Sequence, residues 1–567
     1  MEKRWIYGNK PKEAAVKQLA SAINISQKLA TVLVQRGVAT FEQAKAFFRP
    51  NLEELHNPFL MKDMDKAVTR LLLAMKRQEK ILIYGDYDVD GTTSVALVYG
   101  FLRKYYPRLN FYIPDRYKEG YGVSNLGIDY AYKNKFTLII SLDCGIKAHT
   151  QIKKAQDSGI DFIVCDHHNP GTLPEAYAVL DPKRKDCAYP YKELSGCGVG
   201  FKLMQAFCQK QSIDEKELFR HLDLLAVSIA SDIVPMTGEN RILTYWGLKV
   251  LNKNPRPGFK ALIDVSGFKK SLDIEAIVFG IGPRINAAGR IAHAKAAVEL
   301  LLAEDLQEAI LFAKQINENN ISRKDHDTSI TQEALAMIEN EATFPEAKST
   351  VLFKENWHKG VIGIVASRCI EKYYRPTVIL TESNNLATGS ARSVAGFDLY
   401  EAISKCSDLL EQFGGHTFAA GLSLKKENIN AFRKRFDAIA ADALSEEQLT
   451  PFIEIDCVLE LKDISQKFYA ILAQMAPFGP RNLQPVFVSE NVFDTGKGKL
   501  LKGKHLKLCL KQEGSKEIEA IGFDMPSYYE RIASGERFRL CYTLSENTWN
   551  GISHLQIFIK DIKFNDN

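Results

Sequence analysis

The chain has ten cysteines and not one CxxC pair among them. That absence excludes a zinc ribbon and argues against a disulfide framework; the thiols read as reduced and buried, as in a cytoplasm. No apolar run reaches the ~20 residues needed to span a bilayer. The N-terminus, MEKRWIYGNKPKEAA, carries no apolar core after its charges, so no secretory leader is expected. A Walker A loop is missing, and nothing reads as a Ser-His-Asp triad. Net charge is only +5, too little to announce a nucleic-acid partner, so any such binding has to come from local grooves. What remains is an ordinary globular composition, 46% hydrophobic and 25% charged, in 567 residues. That length implies about three or four domains.

Against these absences stands ILIYGDYDVDGTT, residues 81–93. Ile81 to Tyr84 read as a buried parallel strand. Asp86, Asp88 and Asp90 follow at alternate positions, then Gly91. Thr92 is placed to cap a helix whose apolar face runs through Val95, Leu97, Val98, Phe101 and Leu102. Most acidic strings of this kind are solvated turns. Three carboxylates at the carboxyl end of a strand, where open α/β sheets bind ligands, favour instead a divalent cation that relieves their repulsion. The pattern then repeats. FYIP (111–114), TLIISLD (137–143) and DFIVCD (161–166) read as further strands, with a helix over 147–158, the alternation of a parallel sheet covered by helices. Two of these strands end on Asp143 and on Asp166-His167-His168. One acidic residue after a strand is usually a cap or turn former; three strands of one sheet ending in ligand-type residues are not explained by capping. LDLLAVSIASDIVPM (222–236) reads as an apolar helix that stops at Asp232, whose carboxylate is expected to reach back to the same pocket.

The rest of the chain is less explicit. Residues 1–75 read as mostly helical, with Val16, Leu19, Ala20 and Ile23 at helical spacing, and carry no visible chemistry. GIGPRINAAGR (280–290) reads as a glycine-bounded loop bearing Arg284, Asn286 and Arg290, either a helix-capping turn or an anion clamp. Residues 304–345 read as a helical linker between two lobes. A second α/β unit follows, with STVLF, PTVILT and LATGSARS as strands. His358, Ser390, Arg392 and His416 sit at its breaks, in small flexible turns with phosphate-friendly donors. Beyond about residue 450, short alternating segments fit a small barrel. Lys497, Lys499, Lys502, Lys504, Lys507 and Lys511 recur there with no acidic residue among them, near Phe493, His505, Tyr542 and Trp549. Such a run is usually a solvated face; on a barrel it is also an expected single-strand surface, by backbone charge and base stacking.

Asp88, Asp90, Asp143, His167 and Asp232 offer mixed oxygen and imidazole donors, which suit Mg²⁺ and Mn²⁺. With no cysteine among them, structural zinc is disfavoured. Several carboxylates can hold two cations ~4 Å apart, the arrangement that hydrolyses phosphodiesters by in-line displacement. Phosphoester hydrolysis is therefore the expected chemistry.

GDYDVDG, SLDCG, DHH and ASDIVP, in this order, resemble the four motifs of the DHH phosphoesterases. GPRINAAGR, GSARS and FGGH further resemble the RecJ branch, exonucleases that act on single-stranded DNA from 5′ to 3′. The likeness runs from about residue 75 to the end of the chain. Beyond the helical N-terminal region read above (1–75), it implies an α/β fold: a DHH parallel-sheet domain (76–303), a long helical linker (304–345), a smaller α/β DHH-associated domain (346–448) and a C-terminal OB-like β-barrel (449–567). It also implies that Asp88, Asp90, Asp143, His167 and Asp232 bind two Mn²⁺ or Mg²⁺ ions, with Asp143 bridging them. Asp86 and His168 would sit beside the metals, His168 placed to donate to the scissile phosphate. Ser390 and Arg392 would hold the 5′ phosphate with support from His416, while Arg116, Arg284, Asn286 and Arg290 would contact the strand. Small DHH phosphatases carry a metal-binding histidine where Tyr84 stands. The implied partner is single-stranded DNA, with a helicase and a single-strand-binding protein expected from the family's part in recombination and repair, and the implied state is a cytoplasmic monomer. Two alternatives stand beside this. One is a relative that cleaves short oligonucleotides or cyclic dinucleotides, against which the lysine-bearing barrel argues. The other is a non-catalytic DHH scaffold, against which the full ligand set counts.

Overall fold

The computed structural model describes residues 2–341, 346–549 and 552–564. Residues 342–345 of the expected linker, the side chain of Trp549 and the last three residues of the expected barrel lie outside them. The chain divides into two compact units. One comprises Asn57–Asp232 with Gly247–Pro451, the other Lys3–His56, Ile233–Trp246 and Phe452–Asn567.

In the first unit the strand Ile81–Gly85 is buried throughout. It pairs in parallel with Leu109–Tyr112 on one side and Leu138–Leu142 on the other, and Asp161–Cys165 and Ala178–Leu180 extend the sheet. Apolar runs without alternation are what a strand covered on both faces requires. The helix Val89–Leu102 follows at once, with every residue but Tyr99 buried. Thr92 does not cap it. The cap is Asp88, whose carboxylate accepts from the Gly91 amide at 3.0 Å, while the Thr92 hydroxyl donates to the Asp88 carbonyl. Gly91 lets the first turn close this early, because a Cβ there would lie 2.4 Å from the Asp86 carbonyl oxygen. The segment around GPRINAAGR is helical rather than a loop: Ile277–Ile281 forms a π turn and Gly282–Ile291 an α-helix. Pro283 sits in the first turn, where a missing N–H removes no intrahelical bond.

Leu306–Glu339 is a single helix of 34 residues, about 51 Å long at 1.5 Å per residue. Its buried stripe passes from Ala313 and Ile316 through Asn320, Arg323 and Asp327 to Ile330 and Ala334, and Arg323 donates to Asn320 at 3.2 Å. Beyond it, Thr350–Phe353 and Thr377–Ser383 pair in parallel, and Leu386–Arg392, Ala419–Leu424 and Gln412–His416 continue the sheet antiparallel. Ser390, Arg392 and His416 therefore stand on strands, not in flexible turns; only His358 is in a loop, before the helix Ile362–Lys372. Of the FGGH glycines it is Gly415 that strand packing requires: its φ is +153°, and a Cβ there would lie 2.4 Å from the Ala419 carbonyl oxygen, whereas one on Gly414 would meet open space.

The second unit is built on strands that close on themselves. Phe487–Asp494 pairs with Phe538–Trp549 and, at its far end, with His505–Lys511, while Ile552–Phe564 and Ile518–Gly522 complete the circuit. The N-terminal helices Glu13–Ile23, Gln27–Gln35 and Phe41–Phe48 share its core, Leu29, Leu33 and Ala44 clustering with Leu459, Phe487 and Tyr542. Arg4–Tyr7 is a strand rather than part of a helix, paired with Phe452–Ile455. The lysine run is partly neutralised by the adjoining segment, Lys497 pairing with Glu517 at 2.6 Å and Lys507 with Glu519 at 3.5 Å. Arg241, 4% exposed, donates to the carbonyls of Phe47, Met475, Ala476 and Pro477 at 2.9–3.2 Å.

Replacing Arg241 with methionine keeps the volume but takes the donor from the Phe47 and Ala476 carbonyls, while Asn482 still donates to those of Met475 and Pro477. Urea unfolding is expected to show a loss of about 2–4 kcal/mol; an unchanged midpoint would refute the role. A second prediction concerns His221 in the first unit, 8% exposed, edge-on to Phe101 at 5.9 Å and 3.4 Å from Arg256, which itself holds Asp223 in a bidentate pair. Burial first, then the Arg256 charge, depress its pKa to about 3. Because the unfolded ring titrates near 6.5, its stabilising contribution is complete above that pH and declines as pH falls toward 3. The expected loss at pH 5 is about 2 kcal/mol. His221→Gln should flatten that decline when melting is compared at pH 5 and 7.5, and parallel curves would count against it.

Candidate active site

Asp86, Asp143 and the pair His167-His168 lie just past the carboxyl ends of adjacent parallel strands, and Asp232 follows the helix Leu222–Ser231. His167 stands at the centre. Its Nε2 is 3.2 Å from Asp143, 3.5 Å from Asp232 and 3.8 Å from Asp90. Asp143 leaves its strand with φ +59°, a left-handed conformation that aspartate tolerates better than most residues. Gly196 makes room for it, since a Cβ there would lie 2.5 Å from the Asp143 Cβ. Asp90 faces the N-terminus of the helix Gly196–Gln211, accepting from the amides of Gly196 (2.7 Å) and Cys197 (2.9 Å) and from the Ser228 hydroxyl (2.7 Å). Asp166 fixes the neighbouring ring: it accepts from the amides of Ile146 and His167 and pairs with His168 Nδ1 at 2.7 Å. His168 Nε2 is then 3.2 Å from the Tyr121 hydroxyl.

The electrostatics are those of a cation site. Burial first, then the charge of Asp88 on Asp86 and of Asp90 on Asp143 and Asp232, push these three acids well above the usual carboxylate range. Burial holds the His167 ring down to about 4, so it is neutral, the form that ligates metal. Burial opposes charge on His168 as well, but the Asp166 carboxylate outweighs it and raises that pKa. Among the described residues Asp86 Oδ2, Asp143 Oδ1, Asp232 Oδ2 and both ring nitrogens of His167 are buried without a hydrogen-bond partner. Donor atoms of Asp143, His167 and His168 lie within 4.8 Å of one another, as do those of Asp90, His167 and Asp232. Two adjoining positions, rich in oxygen and free of thiolate, fit Mn²⁺ or Mg²⁺.

A cluster of opposite sign lies beside it. Arg290 donates to the Gly360 carbonyl at 2.9 Å, and the Tyr117 hydroxyl donates to the Arg290 carbonyl. Arg392 donates to the Ser390 hydroxyl at 2.9 Å, and both crowd Gly363, where a Cβ would meet each of them at 2.9 Å. Burial first, and then Arg116, Arg323 and Arg392, lower the Arg290 pKa to about 10. Burial and Arg116 likewise lower Arg392 and Lys359. Cations gathered in this way suit an anion. Arg284 stands apart, its guanidinium held by the Gly280 carbonyl (2.8 Å) and Asn317 (3.0 Å), and Asn286 is half-buried on the same helix. His416 ends its strand, exposed. Lys359, the Ser195-capped helix that meets Asp90, and the bracing role of Asp166 escaped the sequence reading; SGCGVG, a serine cap before a glycine-rich helix start, was the available signal for the second.

The sequence matches the DHH family, N-terminal domain, over residues 80–229, the DHHA1 domain over 346–442 and the RecJ OB domain over 455–561. It is 38% identical over 557 residues to the single-stranded-DNA-specific exonuclease RecJ of Bacillus subtilis strain 168, covering 97% of this chain and 70% of that one. The Escherichia coli K12 protein of the same name is 32% identical over 88% of this chain and 90% of its own. Among solved structures, RecJ in complex with Mn²⁺ from Thermus thermophilus aligns with a TM-score of 0.85 at 26% identity, covering 100% of this chain and 80% of that one. An exonuclease RecJ bound to manganese aligns with a TM-score of 0.60 at 31% identity over 70% of this chain and 98% of that one.

Relief of the crowded carboxylates makes a stability prediction. Mn²⁺ at 100 times its dissociation constant should stabilise the folded protein by about 2.7 kcal/mol, read as a rise in melting temperature reversed by chelation. Asp143→Ala should lose most of that rise; an undiminished shift in the variant would place the cation elsewhere.

Proposed function

The chain belongs to the RecJ family of single-stranded-DNA-specific exonucleases, and we propose that it removes nucleotides one at a time from the 5′ end, the arginine cluster holding the terminal phosphate. It hydrolyses phosphodiester bonds of single-stranded DNA with Mn²⁺ or Mg²⁺ as cofactor, in recombination and repair. The observation that carries the 5′ reading is Arg116. Its charge acts on Asp86 and Asp88 on one side and on Arg290, Arg392 and Lys359 on the other. A phosphate bound among the arginines therefore leaves the next phosphodiester over the carboxylates.

Held by Asp86, Asp88, Asp90, Asp143, His167 and Asp232, the cations would lower the pKa of the attacking water and neutralise the leaving oxygen. The chain's own residues do the rest. Three donors keep Asp90 from turning, and Asp166 orients His168 and, against the cost of burial, favours its protonated form. His168 then donates from Nε2 to the scissile phosphate. Water oxygen bonds to phosphorus and gives up a proton, the P–O3′ bond breaks, and O3′ takes up a proton. The released nucleotide keeps a 3′ hydroxyl, and the shortened strand gains a new 5′ phosphate. Each turnover thus regenerates the group that Ser390, Arg392, Arg290 and Arg116 bind.

Duplex ends must be opened first, so a helicase and a single-strand-binding protein are the proposed partners of a monomeric enzyme. All ten cysteines are free, which supports work in the cytoplasm. No helix among the described residues is long and apolar enough to cross a membrane.

Digestion of a 5′-phosphorylated, 3′-labelled strand and its duplex with Mn²⁺ tests this reading. The strand should shorten from its 5′ end, the duplex should survive, and Asp143→Ala should be inactive. Arg392→Ala should lower kcat/KM about 10- to 100-fold on the phosphorylated strand and far less on a 5′-hydroxyl strand. Equal losses on both would remove Arg392 from the 5′ pocket, and shortening from the 3′ end would overturn the polarity.

A further inference from the structure

The hairpin of Gln412–His416 and Ala419–Leu424 turns through Thr417 and Phe418 alone. That turn is fixed from behind. The Thr417 carbonyl accepts from the Leu399 amide and the Phe418 carbonyl from the Ser393 amide, each at 3.0 Å, and the Thr417 hydroxyl donates to Asp398 at 3.1 Å. Yet the Phe418 ring is 62% exposed and Tyr400 is 45% exposed. Both line a groove of about 700 Å³, with Lys147, Asn169 and His416. Lys147 lies on the loop that leaves Asp143, and Asn169 directly follows His168. Partial burial of its ring first, and then the charges of Lys147, His168 and Lys183, hold the largely exposed His416 below its ordinary pKa. The lining carboxylate, Asp398, is occupied by Thr417 and by the Glu401 amide at the start of its helix.

A rigidly presented, solvent-exposed aromatic ring beside a cationic wall is the combination that grips single strands, one surface for a base and one for its phosphate. We propose that this groove is a nucleotide subsite in which Phe418 stacks on a base of the bound strand and Lys147 contacts the phosphate of that nucleotide. This rests on the exonuclease reading above and adds to it a grip on a base, distinct from the grip on the terminal phosphate. Stacking on a ring reads no hydrogen-bonding edge, so the subsite tolerates every base and favours the larger purines.

Binding is measured in an Asp143→Asn background, with 5′-phosphorylated strands that carry 2-aminopurine at successive positions. One position should darken on binding, and Phe418→Leu should restore its emission while weakening affinity about 5- to 100-fold. Phe418→Tyr should keep the darkening, which a merely structural role would not require. Lys147→Gln should reduce the slope of log affinity against log salt by about 0.7. If no position responds to Phe418→Leu, or the salt slope is unchanged by Lys147→Gln, the subsite is wrong. If the parent protein binds dinucleotides but no longer strand at all, the exonuclease reading falls and the subsite with it.

Discussion

Negative charge gathered away from water is the constraint on which the rest of this protein depends. Asp86, Asp90 and Asp143 are nearly or fully buried, and Asp90, Asp143 and Asp232 surround one neutral imidazole. The fold saturates some of their lone pairs with its own amides, from Gly122 for Asp86 and from Gly196 and Cys197 for Asp90. It withholds partners from others, and donor atoms of Asp90, Asp143 and Asp232 gather in the space about His167. Strand ends, a helix N-terminus and a left-handed aspartate all exist here because each delivers a donor to that space at a fixed angle.

The anion cluster applies the same logic with the sign reversed. Arg116 and Arg290 come from the first sheet domain and its helices, Lys359 and Arg392 from the second sheet domain. Each of Arg290, Arg392 and Lys359 is buried enough that its neighbours lower its proton affinity. Neither cluster is comfortable alone. One suits cations and the other an anion, and on the proposed reading a nucleic-acid backbone with its metals supplies both, so that binding relieves stresses that folding leaves in place.

The parallel sheet and the metal-type residues were legible in the sequence because buried strands are short, apolar and interrupted abruptly by polar ligands. Local breaker chemistry was the poorer guide. Gly282, Pro283, Asn286 and Gly289 suggest a loop, but the proline falls in the first turn and the glycines admit close packing: a Cβ on Gly289 would lie 3.0 Å from the Tyr87 carbonyl oxygen. FGGH suggests a turn for the same reason, whereas its glycines lie in an antiparallel strand. Thr92 resembles a cap, yet Asp88 takes that place because Gly91 lets the chain close sooner. The pairing of Arg4–Tyr7 with Phe452–Ile455 joins distant parts of the chain, and no local pattern encodes a contact of that span.

The unbroken helix Leu306–Glu339 joins the two sheet domains of the first unit. Each residue added to such a rod advances the second sheet domain by about 1.5 Å and rotates it by about 100°. A single insertion would swing Ser390 and Arg392 away from Arg116 and Arg290. Restoring the facing to within about 20° takes about seven residues, two turns, and parts the domains by about 10 Å. On the proposed 5′ grip, the interval between holding a strand end and cutting behind it is set by this rod, and a small insertion that turns the domains apart breaks the grip before it changes the stride.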